Sequence, residues 1–152
     1  MDEPATLEQA IKQLVPNSLD DIIRAHRDEF SMRLANVEDV AALPKMISML
    51  DKQKPIRATI QQWRIVCFAR HAKLGGNALI LTGTHEARGC NWATSFVKAV
   101  DFENGLVLTE NSVYKLGIKG EGEPHLHILL HICHALHKWG YGDYLGVLSV
   151  FY

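Results

Sequence analysis

The segment Pro124–Trp139 restricts the fold of this chain more than any other part of the sequence. On a helical wheel, leucine, isoleucine, alanine, cysteine and tryptophan occupy most of its circumference. One narrow stripe is polar and holds His127, His131, His134 and Lys138. A helix with so little polar surface must be buried against other elements. With Gly140 as its C-terminal cap, this segment predicts one buried C-terminal helix.

Between residues 56 and 117 the sequence predicts strands. Segments rich in branched and aromatic residues alternate with turn signals, in the order "WRIVCFAR", "ALILTG", "ATSFVKAVDF", "LVLT" and "SVYKL". "HAKLGGN" and "ENG" are turns, "THEARGCNW" is a loop, and Glu110 with Asn111 suits a two-residue hairpin. The apolar segment Leu145–Phe151 predicts a last strand. These signals indicate an antiparallel sheet of five or six strands.

Residues 1–54 predict short helices. Thr6 and Gln9 have capping-box spacing, and Pro16 ends the first helix. A second helix would carry apolar residues from Leu19 to Leu34, and a third would begin at Asn36 and be interrupted at Pro44. The expected fold is therefore α+β, with N-terminal short helices followed by an antiparallel five- to six-stranded sheet packed on one buried C-terminal helix. Its parts are an N-terminal helical segment, 1–54, and a sheet-plus-helix core, 55–152.

Three segments of the β region carry a resemblance: "QQWRIV", "ATSFVKAVD" and "LVLTENSVYKLG". With them, the central third of the chain resembles a group of uncharacterised small bacterial and phage accessory proteins. The resemblance implies an origin in an accessory or mobile element and assigns no catalytic residue.

The histidine stripe has three interpretations. As a metal site, His127 and His131 are i, i+4 neighbours and His134 is i+3 from His131, so pairs of imidazoles could share a zinc ion. His85 and Cys90 of the "THEARGC" loop could complete the ligands. As a structural edge, the stripe is the half-exposed side of a buried helix. As a partner-facing edge, clustered histidines would change charge near neutral pH.

The "THEARGC" loop also places Cys90 near His85, a combination that could act as nucleophile and base. No nucleophile-elbow motif surrounds the pair, so a polar connection between strands is the simpler interpretation. "GIKGEGEP" lacks the lysine and hydroxyl ending of a phosphate loop and is interpreted as a flexible connection.

Charge and cysteine usage bear on the partners. A net charge of −1 gives no basic field, so we expect neither a nucleic-acid partner nor direct membrane contact. Three widely spaced cysteines fit a reducing, cytoplasmic environment. The N-terminal region instead offers an acidic surface that could dock to a basic partner, formed by Asp20, Asp21, Asp28 and Glu29.

The expected function is a non-enzymatic accessory protein that docks onto a protein partner. One version is a phage- or mobile-element-encoded inhibitor of the anti-CRISPR type, acting on a host complex. The docking candidates are Asp20, Asp21, Asp28, Glu29, His127, His131, His134 and Lys138, and no cofactor is expected. The alternative is a metal-dependent hydrolase with zinc held by residues drawn from His127, His131, His134, His85 and Cys90.

Overall fold

Strand β2 organises the fold because it pairs with three other strands. The computed structural model describes residues 15–44, 55–110 and 112–149. Its strands are β1 (Ser31–Leu34), β2 (Ile56–Ala69), β3 (Ala78–His85), β4 (Cys90–Asp101), β5 (Leu106–Thr109) and β6 (Val113–Leu116). Its α-helices are α1 (Val37–Ala41) and α2 (Leu126–Lys138), and short 3₁₀ turns span Leu19–Asp21 and Ala72–Leu74.

Strands β2 to β6 form a closed barrel. Each strand pairs antiparallel with the next, as the turn signals predicted. The last strand, β6, then pairs parallel with the first half of β2, from Ile56 to Ile60, and this pairing closes the circle. β1 adds a sixth strand, antiparallel to the second half of β2.

The expected fold class, an open antiparallel sheet packed on a helix with helices before it, is therefore wrong. The protein is mostly sheet, and its sheet closes on itself through one parallel pairing. Closure depends on the 14-residue length of β2, because its first half pairs with β6 and its second half pairs with β1 along the same edge. Turn signals identify which strands are neighbours in sequence, but they carry no information about a pairing between the first strand and the last.

The predicted helix from Leu19 to Leu34 is also wrong. Only Leu19–Asp21 is helical, as a single 3₁₀ turn. His26 has a φ of 58°, and this left-handed residue reverses the chain before β1. The predicted apolar positions Leu19, Ile22, Ile23 and Phe30 are buried and Leu34 is partly buried. Backbone pairing with β2 takes the place of a helix for residues 31–34.

The third predicted helix forms as the five-residue α1, and Asn36 caps it as expected. The predicted first helix and the segment "KMISML" lie outside the described residues. The boundary predicted at residue 54 likewise falls next to residues 45–54, which are outside the described part of the chain.

Among the described residues, two large apolar clusters lie on opposite sides of the barrel wall, and a third, small cluster is formed by Ala99, Leu108 and Val113 of β4, β5 and β6. Alternate residues of β2 enter different clusters: Ile65 and Cys67 join one, and Val66 and Phe68 join the other. All five barrel strands contribute to the cluster of Ile65, so it fills the barrel interior. The other cluster lies between the outer wall, the N-terminal turns and α2. Both faces of β2 and β3 are thus buried along their central residues.

The C-terminal helix is confirmed. α2 buries Ile128, Leu129, Ile132, Cys133 and Leu136 against the outer wall of the barrel. Gly140 has a φ of 89° and ends the helix as predicted, because its N–H donates to the carbonyl of His137 and the N–H of Tyr141 donates to that of Leu136.

The predicted final strand is wrong across its described residues, 145–149, which form turn and coil. Gly146 has a φ of 65°, which breaks an extended backbone, and the carbonyl of Leu145 accepts the N–H groups of Arg24 and Ala25. In the described part of the chain, no helix is both apolar and long enough to span a membrane.

Candidate functional site

A cleft opens where β2 changes partners along one edge. β6 pairs with residues up to Ile60, β1 pairs with residues from Val66 onward, and β3 occupies the opposite edge. Residues 61–65 of β2 therefore lie between the segment that pairs with β6 and the segment that pairs with β1, and these two strands diverge from β2 at this point. The floor of the cleft is β2, one wall is the segment from Leu34 through α1, and the other is the loop after β6.

A bulge in β2 shapes the floor. Gln62 has a φ of 52°, an uncommon backbone conformation for a residue other than glycine, and the β2–β3 register shifts beside it. The loop after β6 fixes this bulge. Trp63 donates its N–H to the carbonyl of Ile118 at 3.1 Å and accepts from the N–H of Gly120 at 2.8 Å, while Ile118 donates to Oε1 of Gln61 at 2.6 Å. Such bulges often lie next to binding and active sites, where they redirect side chains.

The guanidinium of Arg64 holds the same loop. Its Nε donates to the carbonyl of Gly122 at 2.7 Å, and its Nη2 donates to the carbonyl of Glu121 at 2.6 Å. Gly120 passes so close that a Cβ there would lie 2.7 Å from both the Gln62 carbonyl and Nη1 of Arg64. The segment interpreted from sequence as a flexible connection is therefore a fixed wall of the cleft.

The opposite wall is anchored by Asp39. In a capping box, the side chain of Asn36 accepts from the N–H of Asp39, and the carboxylate of Asp39 accepts from the N–H of Asn36. Arg33 of β1 also donates to both oxygens of that carboxylate, at 2.5 and 3.1 Å. These hydrogen bonds from Arg33 lower the pKa of Asp39, against the opposing effect of partial burial. One charged group thus joins α1 to the sheet.

The cleft has a volume of about 720 Å³, within the range of ligand-binding sites. Its lining is mainly apolar, with the side chains of Leu34, Val37, Val40, Trp63, Ile65 and Phe102. Large hydrophobic side chains are also exposed around it. Val37, Phe102 and Ile118 are 85%, 47% and 66% exposed, and they are three of the six such side chains in the described parts of the chain.

An aromatic pair and a lysine lie at the mouth of the cleft. Trp63 and Phe102 stack with ring centroids 6.2 Å apart and planes 21° from parallel. Nζ of Lys119 lies 5.7 Å from the Trp63 ring, and the indole N–H donates to the carbonyl of Gly117 at 3.1 Å. A rigid aromatic surface beside a cation can hold an apolar group and an anion together.

The predicted acidic surface lies away from this cleft, and much of it is already paired. Asp20 binds Arg27 at 2.8 Å, Asp21 binds Arg24 at 3.3 Å, and Glu29 lies 3.8 Å from His71. Asp28 is exposed in the turn before β1. Nearby cations therefore offset part of the charge of this surface, and its role in docking stays a prediction.

The histidine stripe is on the outer side of α2. His127, His134 and Lys138 are exposed and His131 is half-buried. Burial lowers the pKa of His131, and the neighbouring charges of His134 and His127 lower it further. The half-exposed edge predicted from periodicity is therefore present. Whether a partner covers it stays a prediction.

The predicted metal ligands are only partly brought together. His85 and Cys90 are cross-strand partners at the end of the β3–β4 hairpin, where the predicted loop is a four-residue turn. His85 is buried, and its Nδ1 accepts the N–H of Arg88 at 3.2 Å, so this nitrogen is not free to take a proton from Cys90. Among the described residues, no three histidine, cysteine or acidic side chains form a group suited to a metal ion. The zinc site stays a prediction.

The cleft residues were not among those singled out in the sequence. The sequence predicted Trp63 as a strand residue, Val37 as part of a helix and Lys119 as part of a flexible loop. One sequence signal was available: Gly117 and Gly120 flank Ile118 and Lys119, and such spacing is typical where two backbone segments approach closely. No protein-family model, curated protein or solved structure matches the chain.

Proposed function

We propose that this chain is a non-enzymatic binding protein and that it docks onto another protein through the cleft on β2. The observation that carries the proposal is an apolar cleft lined by the exposed side chains of Val37 and Phe102, with exposed Ile118 next to the lining residue Lys119. Scattered exposed hydrophobic residues are normal on a protein surface, whereas a contiguous apolar surface rimmed by polar groups is typical of an interaction site.

The rigidity of the site supports the same proposal. One wall is fixed by the loop hydrogen bonds to Trp63 and Arg64, and the other by the bonds of Asp39 to Arg33 and Asn36. A preorganised surface loses little conformational entropy when a partner binds. The left-handed conformation of Gln62 costs free energy, and its position at the cleft is consistent with a functional role for the bulge.

A narrower version of this function is an inhibitor, encoded by a phage or mobile element and of the anti-CRISPR type, that blocks a host complex by occupying its surface. Its support is the resemblance of the β region to small accessory proteins, since no chemistry of the cleft selects a particular complex.

Affinity capture tests the proposal with matched double variants. Val37→Ser with Phe102→Ser removes apolar surface at the cleft. Ile56→Ser with Tyr144→Ser removes a similar surface elsewhere, because these residues are 50% and 52% exposed. The purified variants are used to capture partners from an extract of the encoding organism or its host, and the captured proteins are quantified by mass spectrometry.

We expect the cleft variant to lose a partner that the wild type and the matched control retain. The same partner, purified, should form a complex with the wild type in gel filtration. A second arm reverses Asp20, Asp21, Asp28 and Glu29 to lysine. Loss of the partner in that arm alone would place the interface on the acidic surface and contradict docking at the cleft.

A further inference from the structure

In the described part of the chain, the two cations that line the cleft, Arg64 and Lys119, have no acidic partner. Arg64 directs its donors at backbone carbonyls, which hold its position but leave its charge uncompensated. Lys119 is exposed above Trp63. Within residues 15–44, 55–110 and 112–149, neither side chain forms an ion pair. The lining carries these two cations against one carboxylate, that of Glu121.

This charge matters once the cleft is covered. In the free protein, water solvates Lys119 at no cost. A partner that covers Val37, Phe102 and Ile118 also removes water from Lys119, which lies beside Ile118 in the same loop. Taking an ammonium group out of water is unfavourable unless an anion replaces the lost solvation. A purely apolar partner surface would leave that cost unpaid.

We propose that the docking segment of the partner is a peptide that inserts an aliphatic or aromatic side chain into the cleft and places an aspartate or glutamate against Lys119. The inference rests on the proposed function and names the chemistry of the partner. The apolar anchor packs between α1 and the stacked pair of Trp63 and Phe102, and the carboxylate pairs with the ammonium group at the rim. A nucleic-acid strand fits less well, because two cations beside Glu121 provide little charge for a phosphate backbone.

A peptide selection tests this inference with the full chain. A randomised peptide library displayed on phage is selected on the wild type, and sequences that still bind the cleft variant Val37→Ser with Phe102→Ser are discarded. We expect the remaining sequences to combine one large apolar residue with a nearby aspartate or glutamate. The best sequence is then synthesised with a fluorophore, and its affinity is measured by anisotropy.

Charge exchange gives the decisive comparison. Lys119→Glu should weaken binding of the acidic peptide about tenfold, since attraction becomes repulsion at a partly desolvated site. Lys73→Glu is the matched control, because it reverses an exposed lysine in the 3₁₀ turn between β2 and β3, away from the cleft lining, and it should leave the affinity unchanged. A peptide with its acid replaced by lysine should bind Lys119→Glu more tightly than it binds the wild type. Circular dichroism verifies that each variant is folded.

The remaining outcomes separate the two proposals. If the wild type and Lys119→Glu bind the peptide with equal affinity, or if the selected consensus contains no acid, the proposal that a carboxylate pairs with Lys119 is overturned. Docking at the cleft still stands in that case if binding depends on the apolar anchor. A dimer of the free protein that the cleft variant disrupts overturns the inference, because the occupant is then a second copy. Capture that is unaffected by the cleft variant overturns the proposed function itself.

Discussion

Replacing Asp39 with asparagine removes the charge that joins α1 to β1 while keeping the size of the side chain. The carboxylate is only 7% exposed and accepts two hydrogen bonds from Arg33, which is 40% exposed. An asparagine oxygen can still accept the N–H of Asn36, so the capping box is largely kept. The substitution therefore isolates the interaction with Arg33.

The magnitude follows from this geometry. A hydrogen bond to a charged group contributes about 1.5–3 kcal/mol to stability. Water reaches Arg33 and screens part of this interaction, so we expect Asp39→Asn to lower the free energy of unfolding by about 1–2 kcal/mol. For a chain of this length, that corresponds to a fall of about 2–8 °C in the midpoint of thermal unfolding.

The effect of Asp39→Asn should depend on pH. Arg33 holds the pKa of Asp39 below its usual range. A group with a lowered folded-state pKa contributes stability that is present above its unfolded pKa and is lost as the pH falls through the folded value. The difference between wild type and variant should therefore be full at neutral pH and should shrink below about pH 4, where the carboxylate takes up a proton in the unfolded wild type while Arg33 still keeps it ionised in the folded protein.

Urea unfolding followed by tryptophan fluorescence, repeated at neutral and acidic pH, measures the free energy of unfolding and its dependence on pH. Asp20→Asn is the matched control, because it removes an aspartate–arginine pair whose side chains are 71% and 48% exposed, and it should cost less than about 0.5 kcal/mol. Equal losses in the two variants, or a loss at Asp39 that persists unchanged at acidic pH, would refute the assignment of Asp39 as the anchor of α1.

Three further outcomes follow from the packing. Gly120→Ala should cost about 1–3 kcal/mol and shift the emission of the native protein, because its Cβ cannot fit against the bulge; an unchanged spectrum and stability would contradict the fixed loop. Burial raises the pKa of the Cys67 and Cys133 thiols to about 11, so at pH 8 a thiol reagent should modify only Cys90 in the folded protein and all three cysteines in denaturant. Leu136→Ala, at a fully buried position of α2, should cost about 2–5 kcal/mol in urea unfolding, and a cost near zero would place α2 outside the core.

The candidate site was less accessible to sequence reasoning than the strands. A strand such as β3 is identified by its own branched residues and the turns beside it. The cleft instead depends on how far apart β1 and β6 attach to β2, which is a long-range property of the register. Histidines and acidic pairs are predicted as site residues because residue type alone indicates their chemistry. Trp63 and Lys119 become candidates only through the residues that surround them in the folded structure.

The sequence by itself determined the elements whose causes are local. The apolar circumference and Gly140 specify α2, and alternating branched residues with glycine and asparagine turns specify the order of strands β2 to β6. Tertiary structure alone decided the closure of the barrel, the strand at residues 31–34 in place of a helix, and the cleft. Each of these depends on pairing between segments distant in the chain, and such pairing is chosen by the total burial and hydrogen bonding of the folded state. The left-handed bulge at Gln62 is held by hydrogen bonds between its neighbours Gln61, Trp63 and Arg64 and the loop after β6, which is distant in the chain, so the contact arises only in the folded structure.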